Sequence, residues 1–389
     1  SSFCKGKDDC RGKRAVQIEI AAWTRRKTEG KMKQNRADRV IAELKKQGVT
    51  QMLITDPMSV YYLTDVYVQP MERFYALLLK ENGDHIFFLN HLFSVSEVTG
   101  VQQVWSYDTD PVMDRVAEFI DRDAPLGVDK DLKARFLLPL MEMQAAQSFV
   151  NTSVAVDTAR GVKDEEEQEK MRVSSDLNDR AMAEFKKLIR EGITEREVAD
   201  QMLKIYLKLG ADGFSFEPLV AFGANAADPH HGPDDTVLKR GDCVLFDVGC
   251  VKDSYCSDMT RTFYFGEVSD DHRHIYETVR RANEEAIAKV KPGVPLCELD
   301  LTARNLIGGE GFGPNFNHRL GHFIGLGEHE YGDVSSVNTQ KAEPGMIFSI
   351  EPGIYIQGDT GVRIEDLVLV TEDGCEVLNH YPKELEIIG

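Results

Sequence analysis

The chain has 389 residues, 42% hydrophobic and 29% charged, the balance of an ordinary globular protein of about two domains. Its net charge is −19, from 65 acidic against 46 basic side chains, which argues against a nucleic-acid or anionic-membrane binder, since both need a basic face. No apolar run approaches the roughly 18 residues of a membrane span, and seven scattered cysteines without a Cys-x-x-Cys pair argue for a reducing compartment rather than a disulfide framework. Residues 1–31 stand apart as a basic arm with nine Lys/Arg and four Asp/Glu. A transit-like or nucleic-acid-binding tail would carry such charge. The simpler reading is an upstream extension or an added segment before a start at Met32. The arm has no apolar stretch of signal-peptide length, so the expected location is cytoplasmic.

From residue 32 to residue 152 the pattern predicts a mixed α/β domain. Ala37, Val40, Ile41 and Leu44 mark one helical face, and Gly48 closes that helix. Met52–Ile54 reads as a strand. Tyr75–Lys80 and His85–Asn90 read as two more, joined through the Asn82-Gly83 hairpin signal. A helix near Pro111–Ile120, a strand at Leu126–Val128 and a helix over Leu132–Ala146 follow. Nothing here clusters His, Cys or carboxylates at a useful spacing, so a scaffold or dimerisation role is expected.

Residues 153–389 form the second predicted domain. Lys163–Glu191 reads as a long helix whose acidic first turn, Asp164–Glu167, suits the helix dipole as a solvated cap. Thr194 and Glu197 form a capping box, and Gly210 ends that helix. Ser269 starts a third helix, with Ile275, Val279, Ala286 and Ile287 on one face, ended by Lys291-Pro292-Gly293. Gly309-Glu-Gly311-Phe-Gly313 lacks the Lys-Ser/Thr ending of a phosphate loop and reads as a plain loop. Helices alternate with strand-rich segments without strict βαβ order, so the fold class is α+β.

The unusual residues lie in the strands. Asp247 interrupts the apolar run Cys243–Val248. A buried carboxylate costs several kcal/mol unless it is paired, protonated or bound to metal. Gly249–Ser254 can turn the chain so that Asp258, in Tyr255–Phe265, comes back beside it. The pattern recurs at the C-terminus. The strand Met346–Ile350 ends in Glu351, and Glu365 lies in the apolar strand Val362–Val370 after a turn at Gly358–Gly361. Between the two hairpins lies His322, flanked by Gly321 and Gly325, with His318 and His329 nearby; His230-His231 precedes Gly232-Pro233. Asp247, Asp258, Glu351 and Glu365 would sum to −4, a charge that two divalent cations balance. Oxygen ligands with one imidazole suit Mn²⁺, Co²⁺, Zn²⁺ or Fe²⁺. A water shared by two such ions loses its proton near neutral pH.

Five segments carry a resemblance: Asp247-Val-Gly, Asp258-Met-Thr-Arg-Thr, Gly321-His322-Phe-Ile-Gly-Leu, Glu351-Pro-Gly-Ile-Tyr and Val362-Arg-Ile-Glu365-Asp. In this order and spacing the chain resembles the pita-bread (creatinase/prolidase-type) metallopeptidases, among them Xaa-Pro dipeptidase and aminopeptidase P, from about Met32 to Gly389. The resemblance implies a pita-bread catalytic domain preceded by a creatinase-type N-terminal domain. It implies Asp247, Asp258, His322, Glu351 and Glu365 as ligands of two metal ions, with Mn²⁺ first in expectation. Glu351 would also relay a proton, and His318 would position or protonate substrate. His329 would contact the scissile carbonyl oxygen, and Arg363 would hold the substrate or a carboxylate. His230 matches the upstream family histidine, with His231 as the alternative.

The implied activity is hydrolysis of Xaa-Pro bonds, first as a dipeptidase on a small peptide with proline second. The alternatives are release of the first residue from longer Xaa-Pro peptides, a metal-dependent sulfonium lyase, and a partner-binding pseudo-peptidase. The resemblance also implies a homodimer. Tyr61, Tyr62 and Tyr67 are candidates for reaching a partner's site, against a competing role in core or interface packing.

Overall fold

The structure is a computed structural model, and it describes residues 29–389. The basic arm expected over residues 1–31 therefore lies almost wholly outside the described residues. Its last two residues, Gly30 and Lys31, form a short strand parallel to Val98–Thr99. The chain divides into two compact units, one ending at Arg160 and one spanning Gly161–Gly389.

The first unit is built on a six-stranded mixed sheet, in the order Gln102–Ser106, Ile86–Asn90, Ala76–Lys80, Gln51–Ile54, Leu126–Val128, Phe149–Asn151. The apolar runs are buried as whole strands, as expected where a sheet is covered on both faces. Gly83 takes φ +85° in the turn between two of them, which accounts for the Asn-Gly signal. The helix Gln34–Lys46 buries Ala37, Val40, Ile41 and Leu44 and carries Lys45 and Lys46 in its last turn, where the dipole favours them. The helix expected over Leu132–Ala146 covers only Ala134–Glu142. A helix at Pro57–Thr64 has no clear apolar period. It is set by Asp56, whose carboxylate accepts the Met58 and Ser59 N–H groups, and by Pro57 in its first turn. Tyr62 is fully buried and donates to the Ala159 carbonyl. The helix Ser153–Gly161 begins where the second domain was expected, yet the first unit runs to Arg160. Bonds from Arg39 to Ala159 and from Lys130 to Asp157 tie it there.

The second unit has two halves of similar make-up. In each, a pair of packed helices precedes strands that carry two acids: Glu165–Phe185 with Glu195–Leu209, then Asp270–Ile287 with Leu296–Gly309. Both capping boxes of the first pair form, at Asp164/Glu167 and Thr194/Glu197, and Gly210 closes the second helix at φ +100°. The acidic cap is not wholly solvated: Glu167 is buried and accepts from the Tyr255 hydroxyl. The long helix ends at Phe185, short of Glu191. The helix Leu296–Gly309 was not expected, because Pro295 gives it no side-chain cap.

One four-stranded sheet runs Leu219–Phe222, Cys243–Val248, Met259–Phe265, Ile387–Ile388. A five-stranded sheet runs Glu330–Val334, Gly321–Phe323, Ile347–Ile350, Asp366–Val370, Cys375–Val377. Along Cys243–Val248, side chains alternate between two cores. Val244, Phe246 and Val248 pack against the first helix pair. Cys243 and Leu245 pack into the core of the second pair. The period of two places Asp247 on the same face as Cys243 and Leu245.

Candidate metal centre

The first hairpin forms as expected. Cys243–Val248 pairs antiparallel with Met259–Phe265, with Asp247 opposite Thr260, and Asp258 stands just before the returning strand. The second acid pair is built differently. The run Val362–Val370 is not one strand but breaks at Ile364-Glu365. Before the break, Thr360–Arg363 pairs with Gly353–Ile356; after it, Asp366–Val370 pairs with Ile347–Ile350. The chain changes partners there, so Glu351 follows one strand and Glu365 precedes its neighbour. Asp258, His322 and Glu365 come together with one ligand atom each within 4.8 Å of the others. His322 Nε2 lies 3.5 Å from Asp258 Oδ2 and 3.6 Å from Glu351 Oε1.

These separations are too long for strong hydrogen bonds and suit atoms that would share an ion at about 2.0–2.2 Å each. Three buried carboxylate oxygens, Asp247 Oδ1, Asp258 Oδ1 and Glu365 Oε1, have no hydrogen-bond partner among the described residues. Burial, then the neighbouring carboxylates, pushes Asp258 and Glu365 well above the usual carboxylate range. A cation would reverse that cost and favour the ionised forms. His322 Nδ1 lies 3.2 Å from the Phe323 carbonyl, which can only accept. Nδ1 therefore carries the hydrogen, and the Nε2 lone pair faces the acids. The donor set fits divalent cations.

A second tier holds the acids. Arg363 donates to Asp247 Oδ2 at 2.6 Å, to the Tyr355 hydroxyl at 2.9 Å and to Thr260 Oγ1 at 3.0 Å. Thr260 in turn donates to Glu365 Oε2 at 2.7 Å. His318 Nδ1 donates to the Arg319 carbonyl, so its Nε2 accepts from Tyr355 at 2.9 Å. Burial lowers the pKa of His318. The ring of His329 stacks on His322 at 3.8 Å, and Arg319 donates to its Nδ1 at 3.1 Å. Burial and the facing His322 and Arg319 push His329 down to about 4. At neutral pH its ring is uncharged, with the hydrogen on Nε2. The buried pair of Lys163 and Glu330, at 3.1 Å, supports the loop before it, since Glu330 Oε1 accepts the Leu326 N–H.

The residues singled out as ligands or catalytic groups line one cavity of about 610 Å³: the five candidate ligands, His230, His231, His318, His329 and Arg363. The two adjacent histidines part ways. His231 Nε2 meets Glu195 at 2.7 Å, while the exposed His230 ring has no partner among the described residues. Sequence reasoning missed Thr260, Tyr355, Glu195, Glu217 and Glu328. Thr260 and Tyr355 stand inside the conspicuous segments, so their motifs were a signal. Glu217 and Glu328 line the cavity, and burial raises the pKa of both. Nothing in their local sequence marks them.

Residues 169–372 match metallopeptidase family M24, and residues 36–162 match the creatinase/prolidase N-terminal domain. The chain belongs to the M24 metallopeptidases, with a creatinase-type domain ahead of the pita-bread one. It is 38% identical over 356 residues to an uncharacterized peptidase of Staphylococcus aureus, covering 89% of this chain and 99% of that one. The structure is similar to a dipeptidase from Pyrococcus horikoshii OT3, with TM-score 0.84 and 31% identity over 91% of this chain and all of that one. It is equally similar to an Xaa-Pro dipeptidase from Bacillus anthracis, with TM-score 0.84 and 30% identity over 91% and 99%. An X-Pro aminopeptidase from Thermotoga maritima MSB8 superposes with TM-score 0.77 and 29% identity over 89% and 100%.

Proposed function

We propose that this protein hydrolyses the Xaa-Pro bond of dipeptides, using two divalent ions, Mn²⁺ before Co²⁺, Zn²⁺ or Fe²⁺. The observation that carries the reading is the set of partnerless buried carboxylate oxygens of Asp247, Asp258 and Glu365, from segments far apart in the chain, lining one cavity with His322, whose Nε2 is left free of a hydrogen. Asp247, Asp258, His322, Glu351 and Glu365 would hold the ions. A bound pair would supply Lewis acidity and water ionised near neutral pH.

The chain's own groups do the rest. Glu351, at the cavity wall and held by the Ser349 hydroxyl at 3.1 Å, takes the water's proton and returns it to the leaving proline nitrogen. A tertiary amide has no N–H, so that nitrogen must be protonated to depart. His329 presents Nε2–H to the oxygen that gains charge. Both nitrogens of His318 are already bonded, so it fixes Tyr355 and the cavity wall rather than delivering a proton. Arg363 holds Asp247. His230, with an uncommitted ring, contacts substrate.

The dipeptidase reading draws support from the similarity to a named dipeptidase and a named Xaa-Pro dipeptidase. Aminopeptidase action on longer peptides is the second reading, supported by the similarity to an X-Pro aminopeptidase. A homodimer is part of the proposal. A reducing, cytoplasmic setting accords with the free cysteines at Cys243, Cys250, Cys256, Cys297 and Cys375. Among the described residues, no helix is long and apolar enough to cross a membrane. The test is a panel of Xaa-Pro and Xaa-Pro-Yaa-Yaa peptides with Mn²⁺ present. Cleavage of the dipeptides alone is expected. Preference for the longer peptides would favour the second reading, and release of acrylate from a sulfonium substrate in place of proline would overturn both.

A further inference from the structure

Glu195 is the first residue of the helix Glu195–Leu209, and its side chain is fully buried. No charged group of the metal centre touches it. Its carboxylate instead collects hydrogens from one loop. Oε1 accepts the Phe222 N–H at 2.8 Å and the Asn225 amide at 3.0 Å. Oε2 accepts the Asp234 N–H at 3.0 Å and meets His231 Nε2 at 2.7 Å. The loop from Phe222 to Thr236 is thus gathered at both ends and in its middle onto one side chain. That loop carries His230 into the catalytic cavity.

Glu195, His231 and Asp234 also place one ligand atom each within 4.8 Å, as a cation site would. Both Glu195 oxygens are occupied by N–H donors, however, so the cluster is a hydrogen-bonded anchor. Charge-assisted bonds to a buried carboxylate are the strong and geometrically demanding kind.

We propose that Glu195 is a positioning residue for the peptidase reaction: it latches His231 and the surrounding loop so that His230, and not His231, presents its ring to substrate. The inference rests on the proposed Xaa-Pro activity. It assigns the doubled histidine, both members of which line the cavity, two jobs: His231 gives its Nε2 to the latch, and the exposed His230 keeps its ring for substrate. Loss of the latch lets His230 drift, and misplacement of a substrate-contacting group by about 1 Å can cost on the order of 10²-fold in rate.

The test is a double-mutant cycle on the Mn²⁺-loaded full chain with an Xaa-Pro dipeptide. Glu195→Gln and His230→Ala should each lower kcat/KM, and the double variant should lose no more than His230→Ala alone. Losses that multiply would overturn the proposal, because Glu195 would then act independently of His230. Mn²⁺ binding by calorimetry should be unchanged in Glu195→Gln, and a weakened site would likewise count against it. A readout without substrate separates this inference from the activity. Under diethylpyrocarbonate, mapped by mass spectrometry, His230 should be modified in both proteins and His231 only in Glu195→Gln. Equal modification of His231 in the unaltered protein would sink the latch even if peptides are cleaved. A protected His231 in a protein that leaves Xaa-Pro intact would sink the activity and leave the latch standing.

Discussion

A charged side chain in a dry strand needs a reason, and here the reasons differ residue by residue. Asp366 is fully buried yet paired with both Arg261 and Lys383, and its pKa is lowered in spite of burial. Asp258 and Glu365 lack such a cation, and that sets them apart from a structural acid; Asp247 differs from both, with Arg363 on one oxygen and the other without a partner among the described residues. Arg363 ties Asp247 to its neighbours. Its planar fork reaches Asp247, Tyr355 and Thr260 at once, which an ammonium cannot do. Arg363→Lys should therefore cost about 1.5–3 kcal/mol of transition-state stabilisation, read as a fall in kcat/KM with little change in the melting temperature. His85, in the first unit, gives a pH signature remote from the site. It is buried, its Nδ1 accepts the Lys80 N–H at 3.2 Å, and burial lowers its pKa below 6.5. The folded ring refuses a proton that the unfolded chain accepts. The stability it confers is full above pH 6.5 and is lost as the pH falls through the depressed value. Denaturant midpoints between pH 7.5 and 5 should show that decline, and His85→Gln should flatten it.

At the scale of elements, the site depends on how closely strands approach. A Cβ on Gly321 would lie 1.9 Å from the Ser349 carbonyl oxygen. Gly321→Ala would force the strands Gly321–Phe323 and Ile347–Ile350 apart, moving His322 from Glu351. A loss of about 1–3 kcal/mol in stability is expected, as for overpacking generally, together with weaker Mn²⁺ binding. Urea unfolding and calorimetry would measure the two, and unchanged metal affinity would show that this contact does not set the site. Element scale is also where the sequence is least legible. Asp247 and Asp258 could be read because an acid inside an apolar run has few explanations and one short turn joins their strands. Glu365 was read as lying inside a single strand, whereas the chain breaks there and changes partners. A partner change is a long-range event without a local sequence mark. Thr260 stands in a conspicuous segment, but its role exists only because its hydroxyl meets Glu365; Glu195, whose partners lie 27 to 39 residues away, has no local mark. The helix Leu296–Gly309 escaped notice for a local reason: it has no side-chain cap and ends in Gly308-Gly309.

For the molecule as a whole, two units share the chain and only the second carries the acids of the centre. Ions that bind the folded centre and not the unfolded chain stabilise that unit by mass action, by about 2.7 kcal/mol at a free concentration 100 times Kd. Adding Mn²⁺ to chelator-stripped protein should raise the melting temperature of the second unit, and a cation-independent melt would contradict this. The net charge of −19 raises local cation concentration only diffusely; we assign the specific affinity to Asp247, Asp258, His322, Glu351 and Glu365. The most direct test is elemental analysis of the purified protein beside its Asp258→Asn variant, with Xaa-Pro hydrolysis measured on the same samples. Two divalent ions per chain, and loss of both tight binding and turnover in Asp258→Asn, are the predicted result. Full turnover by the variant, or no stoichiometric metal in an unaltered protein that still cleaves Xaa-Pro, would contradict it.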